Sequence, residues 1–299
     1  MKQGGRRFLP LLILMTVLFG LTFIATKQAL TGLGVFQVVF SRHILALLPL
    51  TLILWFDKRK FFVARKDRVP FLILTLVEPV GFFVFETYGI RYTSPSMVSI
   101  IIATIPVFSM IFAFGILKER ANIIVVWGMI ISLAGVYLVV SVQEKSSLAP
   151  FPLLGNLLVF GAAISAGLYN VLCRKLAQTY SPWTITFYQA VVASAVFFPL
   201  AIFEDKSMLF QNVNITVAYS ILYLSLGGTF AYYLLNYNLR HLTTYKVAIF
   251  ANLIPVVTIS ASLIIFGELF NPQQFVGAAV VILGIYMTYY RKRKKINTS

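Results

Sequence analysis

The sequence predicts an all-α polytopic membrane protein with ten transmembrane helices, arranged as two inverted five-helix repeats. Three observations predict this fold: the composition, a series of long apolar runs, and a set of residue matches at a constant spacing. Of the 299 residues, 59% are hydrophobic and only 11% are charged. A soluble domain does not need so much apolar surface, whereas helices that face lipid require it.

Ten runs of about 20 residues with few charges are each long enough to cross a hydrocarbon core about 30 Å thick. Their approximate limits are 8–26, 36–56, 70–90, 94–116, 121–141, 153–172, 183–203, 215–237, 243–266 and 272–290, and we number them segments 1 to 10. Because hydrocarbon offers the backbone no hydrogen-bond partners, spanning segments are helices or barrel strands, and these runs are too long for strands.

The basic residues are distributed unevenly between the two sides of the membrane. If the N-terminus is cytoplasmic, nineteen of the 25 Lys and Arg residues lie at cytoplasmic ends, and only Lys27, Arg91, Lys145 and Lys206 lie outside. The positive-inside rule therefore places both termini in the cytoplasm. The net charge of +16 then indicates anchoring at an anionic bilayer surface and not a nucleic-acid partner.

The sequence contains an internal repeat. Residues 105–120, IPVFSMIFAFGILKER, match residues 254–269, IPVVTISASLIIFGEL. At one constant offset, the matches are Tyr88 with Tyr237, Arg91 with Arg240, Pro106 with Pro255, Glu119 with Glu268, Gly128 with Gly277, Gly135 with Gly284 and Tyr137 with Tyr286. A register without gaps over so many residues indicates duplication, with repeats at 1–148 and 149–299. Since each repeat has five helices, the second enters the membrane inverted.

Segments 1 to 3 carry the charges of the first repeat. Segment 1 lacks a small-x-small cleavage site and nine further runs follow it, so we predict a permanent helix. Segment 2 contains Arg42, and segment 3 contains Glu78 near its middle and Glu86. An ion at such depth costs roughly 2.5 to 3.5 kcal/mol on insertion scales, so each should be paired or face a cavity. We predict that Arg42 pairs with Glu86. Glu78 is then a proton site or a ligand for a substrate ammonium; the alternative is a purely structural pair with a solvated glutamate.

Segment 3 also carries a predicted helix break. Pro79 and Gly81 weaken the helix beside Glu78, and Glu78, Phe82 and Phe85 recur on one helical face. We therefore predict Phe82 and Phe85 as cavity residues and Pro79 as a hinge.

Segment 4 and its copy, segment 9, each have a proline near the middle of the membrane. We predict Pro106 and Pro255 as a symmetric pair of hinges that line the cavity; the alternative is a static kink for packing. Glu119 and Glu268 end the same segments and are expected to fix the following turns. The glycines of segments 5 and 10 predict close helix contacts.

The second repeat supplies the remaining candidates for a substrate cavity. They are Tyr169 and Asn170 in segment 6, Gln189 in segment 7, Phe230, Tyr233 and Asn236 in segment 8, and Asn252 in segment 9. For the polar residues, the alternative is hydrogen bonding between helices, which stabilises by only about 0.6 kcal/mol each. For the aromatic residues, the alternative is helix packing or an interfacial belt.

The sequence has few residues of the types that carry out catalysis or bind metals. One cysteine, Cys173, two histidines and no carboxylates paired at catalytic spacing predict neither an enzyme nor a metal or cofactor site.

The doubled motif resembles the EamA family of the drug/metabolite transporter superfamily. The pattern appears as Pro106, Glu119-Arg120, Gly128 and Gly135, and again as Pro255, Glu268-Leu269, Gly277 and Gly284. The stretch FGLTFIATKQAL is similar to the family's first helix, with Gly20, Phe23 and Lys27 in place but Phe19 where tryptophan is common. Arg42 matches the family's membrane arginine, and GIRYTSPS resembles its turn between segments 3 and 4.

The resemblance implies a secondary transporter in the cytoplasmic membrane, an exporter of amino acids or amphipathic metabolites that works by alternating access. Protons are an expected coupling ion, and the oligomeric state stays open. One alternative is an antiporter of phosphorylated sugars or nucleotides, which needs several embedded cations, whereas only Arg42 and Lys246 qualify. A receptor that binds without transport is the other alternative.

Overall fold

The computed structural model describes residues 8–56, 62–117, 123–141, 145–204, 213–242, 247, 250, 253–269 and 271–296. Its helices are α1 (Leu9–Ala29), α2 (Val35–Phe56), α3 (Arg65–Tyr92), α4 (Pro95–Ile116), α5 (Ile123–Ser141), α6 (Pro152–Ala177), α7 (Pro182–Phe203), α8 (Ile215–His241), α9 (Ile254–Phe266) and α10 (Pro272–Ile296). No strand occurs within these ranges. Seven helices, α1 to α4 and α6 to α8, are long and apolar enough to span a membrane, and the other three contain shorter apolar stretches. The predicted all-helical polytopic membrane fold is confirmed.

Local sequence signals set the helix ends. Ser94, Ser181 and Asn214 precede α4, α7 and α8, and each side-chain oxygen accepts a hydrogen bond from a backbone N–H in the first turn. At the other end of the chain, α9 stops at Gly267, whose φ of 65° lies in the left-handed region that favours glycine.

Helix packing follows the repeat. α1 packs against α8 and α9, whereas its counterpart α6 packs against α3 and α4. The helices α2 and α7 pack on each other, as do α5 and α10. Exchanging the two halves of the chain maps this set of contacts onto itself. Such an exchange is what a pseudo-two-fold axis between inverted repeats requires.

Glycines bring α5 and α10 into close antiparallel contact. A Cβ atom on Gly284 would lie 2.5 Å from the Ser132 backbone nitrogen, and one on Gly135 would lie 2.6 Å from the Val281 nitrogen. Neither distance is possible for a real side chain. The two helices therefore meet through bare backbone, as small residues permit in membranes.

Three helices, α3, α4 and α8, are interrupted along their length, and α9 begins at Ile254. α3 and α8 contain π-helical turns at corresponding places, Leu76–Gly81 and Leu224–Gly228. α4 is broken at residues 103–104, and Pro106 is the second residue of its inner half, just as Pro255 is the second residue of α9. In the first turn of a helix a proline sacrifices no intrahelical hydrogen bond. Both prolines therefore start new helices and do not kink continuous ones.

Candidate functional site

A buried cavity of about 70 Å³ lies where these interruptions converge, between α1, α2, α3, α4, α6, α8 and α9. Ile102 and Ile105 flank the α4 break, Ile254 begins α9, and all three line the cavity. The adjacent Pro106 and Pro255, which were predicted to line it, are not among its lining residues. Its polar lining comprises Thr22, Arg42, Glu78, Glu86, Asn170 and Tyr232. A typical ligand pocket has roughly 300 to 1,000 Å³. The space in this conformation thus suits a few water molecules or a small polar group, not a whole metabolite.

Glu78 lies in the π-helical turn of α3 and is 2% exposed. Its backbone has φ −150° and ψ 117°, so the residue departs from the helix at the point where it meets the cavity. Tyr232 lines the same cavity. One oxygen of the Glu78 carboxyl group, Oε2, is buried and has no hydrogen-bond partner. An unsatisfied polar atom in such surroundings is costly, so Oε2 is an acceptor that a water molecule, a proton or a ligand donor in this cavity would satisfy.

Arg42 and Glu86 face the same cavity and are 3% and 1% exposed. The Arg42 guanidinium lies 4.5 Å from the centroid of the Phe83 ring, a cation–π arrangement. Oε2 of Glu86 accepts a hydrogen bond of 2.9 Å from the Thr87 hydroxyl. The opposite charges of Arg42 and Glu86 attract each other.

Gly228 provides the space for the arginine. A Cβ atom there would lie 2.7 Å from Nη2 of Arg42, so any larger residue at this position would force the guanidinium to shift. Opposite charges therefore lie at the two corresponding π-helical turns: Glu78 is part of the α3 turn, and the Arg42 guanidinium packs against the α8 turn.

A satisfied polar network lies behind the cavity wall. Oδ1 of Asn236 accepts hydrogen bonds from the Tyr169 hydroxyl at 2.5 Å and the Cys173 thiol at 3.2 Å. Its Nδ2 donates to Thr186 Oγ1 at 3.0 Å and to Gln189 Oε1 at 3.3 Å. Nε2 of Gln189 in turn donates to the backbone carbonyl of Glu78 in the α3 turn. Three predicted site residues therefore hold α6, α7 and α8 around the α3 break and do not line the cavity.

The other predicted residues divide between cavity and surface. Phe82 and Asn170 line the cavity, and Asn170 also donates to Ser109 Oγ at 3.2 Å. Phe85 and Phe230 are each 40% exposed and lie outside the cavity lining.

Tyr233 also lies outside the cavity lining, where its ring stacks on Trp183 at a centroid distance of 3.7 Å. Asn252 lies outside the described residues. The sequence reasoning missed Phe83 and Tyr232, which take the places that Phe85 and Tyr233 were predicted to fill.

A second cluster closes one end of the bundle, which we name the outer end because the charge distribution predicts that it faces away from the cytoplasm. Nζ of Lys27 donates to three carbonyls, those of Ile90 at 2.7 Å, Thr93 at 3.0 Å and Leu148 at 2.6 Å, and lies 3.4 Å from a fourth, that of Arg91. One ammonium group thereby joins α1 to the end of α3, to the turn before α4 and to the connection between the repeats.

Glu268 completes this outer cluster from α9. Its Oε2 accepts hydrogen bonds from Ser96 Oγ at 2.6 Å and Ser262 Oγ at 2.5 Å, and its charge attracts the Lys27 ammonium. Ser96 belongs to α4, so the carboxylate holds two different helices together and does more than fix a turn. Glu119, the corresponding residue in the first repeat, lies outside the described residues.

Comparison with known proteins agrees with this architecture. The chain is 28% identical over 292 residues to an uncharacterized transporter, YcxC, of Bacillus subtilis (strain 168), covering 95% of this chain and 93% of the relative. It is 24% identical to a probable amino-acid metabolite efflux pump of Salmonella typhimurium, with 94% of each chain covered. One crystal structure superposes with a TM-score of 0.66 over 94% of this chain and 98% of its own, at 14% identity, which supports the fold alone. The EamA-like transporter family matches twice, over residues 7–141 and 153–290, and the chain belongs to that family.

Proposed function

We propose that this protein is a secondary transporter that exports small organic metabolites, amino acids or amphipathic compounds, by alternating access across the cytoplasmic membrane. The observation that carries the proposal is the buried, charged cavity at the convergence of the helix breaks. Ionisable residues inside a membrane protein are costly, and they are typical of substrate and ion pathways.

The difference between the two ends of the bundle supports alternating access. Lys27 near the end of α1 has a counterpart in Arg174 near the end of α6, at the opposite end of the bundle. Lys27 binds three carbonyls, whereas no hydrogen bond of the Arg174 side chain occurs within the part of the chain that the structure describes. There, Gln178 Nε2 donates to the backbone carbonyls of Arg174 at 3.4 Å and Arg240 at 3.1 Å. Two related ends in different states are what a transporter with inverted repeats needs when it opens to one side at a time.

The substrate class rests on the lining and on one relative. The name of the Salmonella typhimurium relative, a probable amino-acid metabolite efflux pump, favours amino acids or their derivatives. A phosphorylated substrate would require several buried cations, and among the described residues of the cavity lining Arg42 alone is basic. Lys246, the other embedded cation, lies outside the described residues.

Protons are the coupling ion that we propose, with Glu78 as the site that exchanges them. The titratable and charged groups that line the cavity with it are Glu86 on its own helix, Arg42 on α2 and Tyr232 on α8, and Tyr169 and Cys173 on α6 lie behind the wall. Imposing a pH gradient across proteoliposomes should drive substrate accumulation in the wild type and not in Glu78→Gln. Equal accumulation in both would rule out coupling through this residue.

Counterflow tests transport itself. Proteoliposomes loaded with unlabelled solute are diluted into labelled leucine, phenylalanine, threonine or tetraphenylphosphonium, with protein-free liposomes as the control. We expect transient accumulation of at least one probe above the control. Absence of accumulation with all four would refute the proposed transport of amino acids and amphipathic cations.

A further inference from the structure

We infer that the substrate carries a protonated amine next to an apolar body, and that Oε2 of Glu78 binds the ammonium. This inference rests on the proposed transport function and adds the chemistry by which the substrate is recognised. It follows from three independent features of the cavity: an unpartnered acceptor, an unbalanced charge and an aromatic wall.

The unpartnered acceptor is specific to one atom. Glu78 and Glu86 lie two turns apart on α3 and both line the cavity. Glu86 Oε2 has the Thr87 hydroxyl as its donor, whereas Glu78 Oε2 has no donor although it is buried. An ammonium carries three N–H donors and no acceptor, so it complements this atom, whereas a carboxylate or phosphate would be repelled.

The charges of the lining leave the same carboxylate unmatched. Among the described lining residues there are two carboxylates and one guanidinium. The field of Arg42 acts on Glu86, and its guanidinium is also engaged over the Phe83 ring. Ionised Glu78 therefore lacks a countercharge of its own. A cationic ligand bound in the cavity would supply this countercharge.

Aromatic rings complete a site suited to a cation. Phe19, Phe23, Phe82, Phe83 and Tyr232 all line the cavity. Tyr232 packs edge-on against Phe19 at 5.1 Å and lies 5.9 Å from Phe83, so three rings form a continuous wall of the cavity that Glu78 also lines. Faces of aromatic rings attract ammonium groups and pack well against apolar substituents.

The size of the cavity fits the same assignment. About 70 Å³ accommodates a charged head group but not the body attached to it. The body needs room that this conformation lacks, and the interruptions in α4 and before α9, which border the cavity at Ile102 and Ile254, are the places where the wall can open. Recognition of the amine would thus precede expansion of the cavity around the rest of the substrate.

Three probes with one phenyl ring and a two-carbon linker test the inference: phenethylamine, phenylalanine and 3-phenylpropionate. Binding to the purified full-length chain in detergent is read as a shift of the unfolding temperature, followed with a thiol-reactive dye that reports exposure of the buried Cys173. We expect both amines to stabilise the wild type and 3-phenylpropionate to have no effect. Glu78→Gln should weaken phenethylamine binding at least about tenfold, whereas Glu78→Asp should keep the preference for amines.

Glu204→Gln is the matched control. Glu204 lies outside the cavity, its Oε2 accepts a hydrogen bond from the Gln37 backbone N–H at 3.0 Å, and an amide oxygen can accept the same bond. This variant should bind phenethylamine like the wild type. The inference is overturned if 3-phenylpropionate stabilises as strongly as phenethylamine, if Glu78→Gln retains the full shift, or if none of the three binds a protein that shows counterflow. Amine binding that depends on Glu78 in a protein without counterflow would instead contradict only the transport function.

Discussion

Replacing Lys27 with methionine should open the outer end of the bundle. The substitution keeps the length of the side chain and removes the ammonium that binds three carbonyls at 2.6 to 3.0 Å. A hydrogen bond to a charged group contributes about 1.5 to 3 kcal/mol. Because Lys27 is only partly buried and water replaces its partners when the end opens, we assign about 2 kcal/mol to the whole cluster. That energy corresponds to about a 30-fold increase in the ratio of open to closed forms.

Ser99→Cys is a suitable reporter of this opening. Ser99 is 0% exposed and lies one helical turn from Ile102, on the outer side of the cavity. In right-side-out vesicles, a membrane-impermeant methanethiosulfonate reagent should label Cys at this position about 30 times faster in the Lys27→Met background. The rate follows the open population as long as opening and closing are faster than labelling. The protein without the reporter measures any background from Cys173.

Arg174→Met should have the opposite effect on the labelling rate. If Arg174 binds carbonyls at the inner end in the outward-open form, its removal disfavours that form and slows labelling of the Ser99→Cys reporter. Lys27→Arg retains the charge and should label at an intermediate rate. Equal rates for Lys27→Met and the parent would refute the outer closure by Lys27. Acceleration by Arg174→Met would refute the reciprocal roles of the two cations.

Three further predictions concern packing, the polar network and topology. Gly284→Ala places a Cβ atom 2.5 Å from the Ser132 nitrogen and should destabilise by about 1 to 3 kcal/mol, whereas Gly115→Ala, with no atom within 4 Å of the new Cβ, should be neutral in the same thermal unfolding assay. Asn236→Leu leaves the partners of both its amide atoms unsatisfied and should cost about 2 to 3 kcal/mol, whereas Asn238→Leu should cost less because Oδ1 of Asn238 already has no hydrogen-bond partner; similar losses would contradict the role of the network. Fluorescent protein fused to the C-terminus should fold and emit, because that end is predicted to be cytoplasmic; activity of an alkaline phosphatase fusion at the same point would contradict the topology.

The helix positions were predictable because the bilayer sets the length of an apolar run. Segment 7 was predicted at 183–203 and the structure has Pro182–Phe203; segment 4, predicted at 94–116, is Pro95–Ile116. The repeat was equally visible, because glycines that permit contact between α5 and α10 cannot change independently of their partners. Gly135 and Gly284 therefore keep their spacing from the corresponding prolines.

The faces of α3 and α8 were not predictable from a period of 3.6 residues. That period holds only while the i to i−4 hydrogen bonds continue, and a π-helical turn inserts a residue and rotates the following face by about 100°. Beyond the α3 turn, Phe82 lines the cavity as predicted, but Phe83 lies beside it in the lining and Phe85 faces outward. Beyond the α8 turn, Tyr232 lines the cavity while Phe230 is exposed on the surface. The signal for the α3 turn, Pro79 and Gly81 beside Glu78, was recognised as a break, but a break does not reveal how far the helix turns.

The position of Lys27 is informative in the sequence, but a count of charges on each side of the membrane does not reveal its role. Its partners are backbone carbonyls, which every residue possesses, so no pattern of side chains identifies them. Yet Lys27 is one of only four basic residues assigned to the outer side, and it stands against the rule that places basic residues inside. Its counterpart Arg174 lies on the side where basic residues are expected, so on sequence grounds it is explained by topology alone. A cation kept at the end of the first helix of both repeats, despite opposite preferences of the two membrane sides, indicates a requirement of the repeat itself. Closure of each end in turn is such a requirement, and it explains why the charge is retained where topology disfavours it.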